Sequence, residues 1–253
     1  GAGESWDGLV RWTVDQGLCG LENLALIPGC VGAAPVQNIG AYGVELAHLV
    51  ESVTAWDWRR MQWVQISRQE CRFGYRDSRF KSADPDRFLI TSLRLALKRQ
   101  FEPHLEYAGL REELSDLKPD TLSAADVSAA VTRLRQRKLP DPARQGNAGS
   151  FFKNPEIEAD RAAALLEKHP ALPAWPQASG TVRLSAAWMI EACGMKGKGL
   201  GGAAVSERHA LVLLNRGTAT GADVAGLARH IQDAVMERFE IELEPEPRMV
   251  KFS

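Results

Sequence analysis

The residues of this chain that could do chemistry are few, and most lie beside glycine. Ser150 follows Gly149 in GNAGSFFKNP (146–155), a hydroxyl on what reads as a tight turn. Arg76, in RFGYRDS (72–78), carries a planar fork suited to a carboxylate through two parallel hydrogen bonds. Glu246 closes LEPE (243–246), and Lys138 ends a basic stretch just before LPDP (139–142). Taken alone, these are a turn cap, a surface ion pair, one more solvated acid and a helix-end cation facing the macrodipole. The densest glycine and proline region, IPGCVGAAPVQNIGAYG (27–43), has no side chain that does chemistry. Its use would lie in sharp turns, close approach and backbone amides offered to a ligand, or in a tight structural loop.

Other chemistries are excluded by spacing. The four cysteines, Cys19, Cys30, Cys71 and Cys193, form no C-x-x-C pair, and none has a histidine at metal-ligand spacing. No metal site is expected, and reduced thiols point to the cytoplasm. Two runs imitate dinucleotide fingerprints. GAGESW (1–6) lacks the third glycine, and GKGLGG (197–202) follows a helix where the Rossmann motif requires a strand. No G-K-[ST] is present, so a P-loop is excluded.

The elements that must hold these residues can be read from periodicity. Ser5 caps an apolar helix that Gly17 stops. Residues 52–57 and 62–66 alternate around Trp58-Arg59-Arg60 as a hairpin, and 88–97 reads as a longer strand. Ser67 and Glu70 have capping-box spacing for a short helix. Residues 123–138 carry Val127, Ala130, Val131 and Leu134 at helical spacing, and LPDP then breaks the chain. A domain boundary is therefore expected between 139 and 140. Beyond it come helices 157–168 and 185–193, strand 209–215, a helix from the Thr220 cap to about Phe239, and a returning C-terminal strand over 241–246. The class is α+β.

With 253 residues, 45% hydrophobic and 25% charged, the chain is an ordinary globular protein of one large domain or two modest ones. A net charge of -1 gives no global pull on nucleic acid or an acidic membrane, and no apolar run approaches a bilayer span. A small-molecule partner and a monomer are expected; nucleic-acid and membrane partners are not.

Seven runs, in order, resemble the motifs of the UDP-N-acetylenolpyruvoylglucosamine reductase family: residues 27–43, 72–78, 138–142, 146–155, 201–205, 209–215 and 243–246. The resemblance implies the second part of a split FAD-binding region similar to that of vanillyl-alcohol oxidases (1–139), followed by an α+β substrate-binding domain (140–253). It implies that NADPH reduces FAD and that the flavin reduces UDP-N-acetylglucosamine enolpyruvate to UDP-N-acetylmuramate, a precursor of peptidoglycan. It places Ser150 as proton donor, with Arg76 and Glu246 at the substrate carboxylate and developing enolate. Tyr75, Lys138 and Asn154 match substrate contacts, and Tyr107, in LEYAGL (105–110), resembles a loop tyrosine that closes over the nucleotide. Asn38, Gly40 and Tyr42 are the expected flavin or nicotinamide contacts. Family members carry an earlier glycine-rich segment for the FAD pyrophosphate, and this chain is expected to start after it. A flavin oxidase of the same fold and a non-catalytic UDP-sugar-binding remnant are the competing readings.

Overall fold

The computed structural model describes residues 1–118 and 121–250. The chain divides into two compact units, Gly1–Arg135 and the chain from Gln136 onward, so the division falls in the last turn of a helix. Each has its own apolar core.

The first unit opens with α1 (Trp6–Asp15), whose N-cap Ser5 accepts from the Gly8 amide. Trp6, Val10 and Thr13 recur at helical spacing and are buried, and the Trp6 indole donates to Leu24 O at 3.0 Å. The glycine-rich run then turns through short 3-10 segments into a tiny hairpin, β1 (Gly40–Ala41) and β2 (Val44–Glu45). Its two loop residues, Tyr42 and Gly43, both have positive φ, 48° and 83°, the requirement of a two-residue hairpin turn. A tyrosine in that conformation is strained, because its Cβ crowds the backbone where glycine has none.

An antiparallel sheet of order β4-β3-β5 follows, from β3 (Val50–Asp57), β4 (Gln62–Ser67) and β5 (Phe88–Leu95). Val53 and Ala55 enter the core, which is completed by Leu110 of α2 (Ala108–Glu113) and by Val127 and Val131 of α3 (Ala124–Lys138). Ser123 and Asp126 cap α3 reciprocally. The Ser67/Glu70 box also forms, but it encloses one turn and not a helix. Cys71 N reaches Ser67 O, then Arg72 takes φ 48° and leaves the helical path.

In the second unit, β6 (Asn147–Ser150) is an edge of a sheet of order β10-β11-β12-β6. A separate sheet of order β7-β9-β8 includes β7 (Glu156–Glu158), so the helix expected from 157 starts only at α4 (Ala159–Lys168). The chain continues through β8 (Ala174–Pro176), β9 (Thr181–Leu184), α5 (Ala186–Ala192), β10 (Gly199–Leu200), β11 (Ala203–Val205) and β12 (Val212–Asn215) to α6 (Gly221–Phe239). The strand expected from His209 begins at Val212, because residues 209–212 close a turn with Val212 N donating to His209 O. Thr220 and Asp223 form the capping box of α6. The glycine run 197–202 leads into a strand and then meets that cap. A Cβ on Gly201 would lie 2.4 Å from Asp223 Oδ1, and one on Gly202 would lie 2.4 Å from Ala219 N. These glycines serve packing.

The returning C-terminal strand is corrected. Ile241 and Leu243 are buried and alternate with exposed Glu242, yet pairing is confined to a Phe152–Pro245 bridge. Pro245 and Pro247 have no N–H to extend a ladder.

One buried carboxylate organises the tip of the first sheet. Asp57 accepts from the amides of Arg59 and Arg60 and from Nε and Nη2 of Arg87, whose Nη1 reaches Asp84. The Arg87 hydrogen bonds, offset by burial and helped by those amides, bring the Asp57 pKa down to about 2. A depressed carboxylate stabilises the fold above its unfolded pKa, and that contribution is lost as pH falls toward about 2. Asp57→Asn should lower the thermal midpoint at pH 7 by at least about 4 °C. The gap to the parent should close between roughly pH 4 and pH 2; a gap independent of pH would show that charge is not what the pair supplies.

Candidate active site

In the first unit the expected site residues gather around two tight turns. Gly74 and Asp77 exchange backbone hydrogen bonds, which puts Tyr75 and Arg76 at the tip between them, with Arg76 at φ 54°. Arg76 Nη2 donates to Gly40 O at 2.9 Å, and its guanidinium lies 5.1 Å from the Tyr75 ring centroid. A Cβ on Gly40 would be tight, meeting Glu45 Cγ at 3.0 Å, Val44 O at 3.1 Å and Arg76 Nη1 at 3.2 Å. Tyr42, on the adjoining hairpin, meets the ring of Tyr107 edge to face at 4.9 Å. Arg76, Tyr75, Gly40, Tyr42 and Tyr107 are all at least partly open to solvent.

Asn38, expected near the cofactor, has its side chain taken up by the scaffold. Its side chain is fully buried, donating to Gly74 O and Glu45 Oε2 and accepting from Ala47 N, all within 2.9 Å. It holds the turn that carries Arg76 against the hairpin that carries Tyr42.

Most amides of the glycine-rich loop are also consumed by the protein, those of Val31, Gly32, Ala33, Ala34, Val36, Asn38 and Ile39 among them. Among the described residues, the amides of Gly29, Cys30 and Gln37 donate to no protein acceptor. Gly29 has φ 111° and nothing within 4 Å of where a Cβ would stand. This stretch of backbone fits a flat or phosphorylated ligand in close approach. Arg135 adds a cation that sequence reasoning missed. It is half-buried, its Nε donates to Leu26 O at 3.2 Å, and burial lowers its pKa against the opposing pull of Tyr42 and Asp7.

In the second unit Ser150 ends β6, opposite Val212. The turn before it is capped by Asn147, whose Oδ1 accepts from Gly149 N while Nδ2 donates to Pro140 O and Gln145 O. Gly149 takes the φ of 71° that the turn demands. The Ser150 hydroxyl is thereby left out of the turn's hydrogen bonding, and among the described residues it has no partner. Glu246 N donates to Phe151 O at 2.8 Å, so the backbone of Glu246 is fixed one residue from Ser150. Asn154 lies farther along, accepting from Ala186 N at the start of α5. Lys138 belongs to a cationic group with Lys196 and His209. Burial first, then these two lysines, push the His209 imidazole below its usual range, with Glu191 opposing. The neutral ring accepts from Leu211 N through Nδ1.

Residues 141–250 match the C-terminal domain of UDP-N-acetylenolpyruvoylglucosamine reductase, and residues 1–60 match an FAD binding domain. The reductase of that name from Dechloromonas aromatica is 51% identical over 250 residues, covering 98% of this chain and 74% of the relative. The chain belongs to the UDP-N-acetylenolpyruvoylglucosamine reductase family. The Bordetella pertussis member is 52% identical, with 98% of this chain and 71% of that protein covered. The solved reductase from Thermus caldophilus superposes with a TM-score of 0.67 at 28% identity, over 97% of this chain and 70% of its own. Membership of this flavin-dependent reductase family, with the match to an FAD binding domain, makes FAD the cofactor and the mixed helix-and-sheet fold a flavoprotein fold.

Lys196 and His209 had no local signal: one sits in a glycine run and the other before a strand, and only folding sets them beside Lys138. For the family's serine, the geometry separates structure from chemistry. Ser150→Ala should leave the thermal midpoint within about 2 °C of the parent, since no protein hydrogen bond is lost. Asn147→Ala, which removes three part-buried hydrogen bonds of the turn, should destabilise by roughly 1–3 kcal/mol in denaturant titration. The reverse order would mean that Ser150 is the turn's cap.

Proposed function

We propose that this chain reduces UDP-N-acetylglucosamine enolpyruvate to UDP-N-acetylmuramate with FAD and NADPH, in the synthesis of peptidoglycan precursors. The observation that carries the residue assignment is the Ser150 hydroxyl, released from its turn by Asn147 and set beside the fixed backbone of Glu246. Residues 1–139 act as the flavin region and 140–253 as the substrate-binding domain. The enzyme works as a cytoplasmic monomer in the pathway that sustains cell shape and division; its four free thiols support that compartment.

Reduction of an enolpyruvyl ether adds a hydride to one carbon and a proton to its neighbour. Bound FAD supplies the hydride that it has received from NADPH. The open backbone at Gly29, Cys30 and Gln37, the hairpin residue Tyr42 and the cation of Arg135 would hold it. Ser150 Oγ gives the proton to the carbon that carries the carboxylate. A hydroxyl is a weak acid, so the transfer depends on enolate charge that builds as hydride arrives. Arg76, seated on Gly40 O, pairs its fork with the substrate carboxylate, and Glu246 lies at the developing enolate. Lys138 with Lys196 answers the diphosphate as point charges, and neutral His209 offers a ring nitrogen beside them. Asn154, whose Oδ1 is engaged by α5, has its amide donors for the sugar. Tyr75 and Tyr107 supply apolar faces to the nucleotide and its sugar.

Two measurements test this. In the FAD-loaded protein, Ser150→Ala should leave flavin bleaching by NADPH near normal, because that step needs no proton at the substrate. Reoxidation by the enolpyruvyl substrate should slow by about 10²–10⁴. Equal slowing of both phases would assign Ser150 to the flavin pocket, and little slowing of the second would remove it as donor. In calorimetry, Lys138→Ala and Tyr107→Ala should each weaken binding of the substrate by roughly 10-fold or more, the scale of one lost charge-assisted or stacked contact. Unchanged affinity in both would sink the nucleotide assignments.

A further inference from the structure

Asn23 sits on the short 3-10 turn Glu22–Leu24 and is fully buried. Its Nδ2 donates to Tyr42 O at 2.8 Å and to His104 O at 2.9 Å, carbonyls 19 and 81 residues away along the chain. Its Oδ1 is the one buried side-chain polar atom among the described residues without a partner. Turning the amide over would aim that oxygen at two carbonyls, so the hydrogen bonds themselves fix its orientation. One donor group thus ties the hairpin that ends the glycine-rich loop to the segment leading into Tyr107.

The same two segments meet a second time through the rings of Tyr42 and Tyr107. Gly109 closes the far side, since a Cβ there would lie 3.3 Å from Tyr107 Cε1. Tyr42 holds a strained φ of 48°, and such a conformation persists only where the surroundings over-determine it. No other side chain of this reach does both jobs of Asn23. Serine has one donor, aspartate none when ionised, and leucine none at all. That a buried acceptor goes unmet for the sake of two donors marks the two carbonyls as the reason for the residue.

We infer that Asn23 is a positioning residue, a clamp that sets Tyr107 against the Tyr42 hairpin and so acts on nucleotide binding through Tyr107. The clamp stands on geometry alone; its effect on nucleotide rests on the reading of Tyr107 proposed above. Two experiments keep these apart. Hydrogen exchange is followed by mass spectrometry in the full chain, the Asn23→Leu variant and the milder Asn23→Ser. Amides in 39–46 and 107–114 should exchange at least about tenfold faster together, with 50–57 and 221–239 unchanged. Acceleration of one segment alone, or of the whole molecule in both variants, overturns the clamp.

The second experiment is a double-mutant cycle with UDP-N-acetylglucosamine as the calorimetric probe. Asn23→Leu should raise Kd several-fold in the parent and add nothing to Tyr107→Ala. Additive losses would mean that Asn23 acts on binding without Tyr107 and overturn that half of the inference. Absence of probe binding by the parent would sink the nucleotide role of Tyr107, while the exchange result still decides the clamp.

Discussion

Within the first unit, the two turns that carry Arg76 and Tyr42 depend on the buried amide of Asn38. Its side chain spends both donor and acceptor on the protein, reaching Gly74, Glu45 and Ala47 at once. Two strained turns meet at that point, one with Arg76 at positive φ and one with Tyr42. Neither conformation is favoured locally, so each must be held from outside. Asn38 does this from beneath. The Arg76 bond to Gly40 O and the Ser78 hydroxyl on Val36 O do it from the sides. The partly open side chains of Arg76 and Tyr42 are thus carried by a backbone that is fixed from several directions.

The second unit solves a similar problem with different residues. Asn147 takes over the hydrogen bonding of the turn just before Ser150, and the short bridge of 151–153 with 244–246 pins the chain just after it. Ser150 lies between two fixed points with its hydroxyl uncommitted. A proton donor has to be placed to within a few tenths of an ångström while its own acidic group stays available. For the role proposed for Ser150, delegating turn chemistry to a neighbouring asparagine meets both demands.

What could be read in the sequence follows from the range of the forces involved. Helices α1, α3 and α6 announce themselves by a capping side chain, an apolar stripe and a stop signal, all within one helix length. The β3–β4 hairpin is equally local. Strand 241–246 misleads because burial alternates there for packing reasons while prolines deny it a ladder. The box at Ser67 misleads because capping needs only one turn, and Arg72 ends the matter. At the site, Ser150, Arg76, Lys138 and Tyr107 stand out through motif resemblance. The burial of the Asn38 side chain is not legible locally, because its partner Gly74 lies 36 residues along the chain. Lys196, His209, Arg135 and Asn23 acquire meaning only from partners far along the chain.

The cap of α6 has a consequence for where anions can settle. A helix N-terminus ordinarily attracts phosphate, since its first amides lack partners and its dipole is positive. Here Asp223 lies inside that field, its pKa held down by the Thr220 amide and hydroxyl and by the Gly202 amide. The helix therefore carries an internal counter-ion across the whole neutral range. An incoming diphosphate would have to displace a carboxylate that is covalently tethered and already hydrogen-bonded to the Thr220 amide and hydroxyl, a competition in which the tether gives the carboxylate a large effective concentration. The glycine-rich approach to α6 is thus electrostatically self-quenched. An anion site in this unit is then to be sought elsewhere, as where Lys138 and Lys196 place positive charge around His209 with Glu191 opposing.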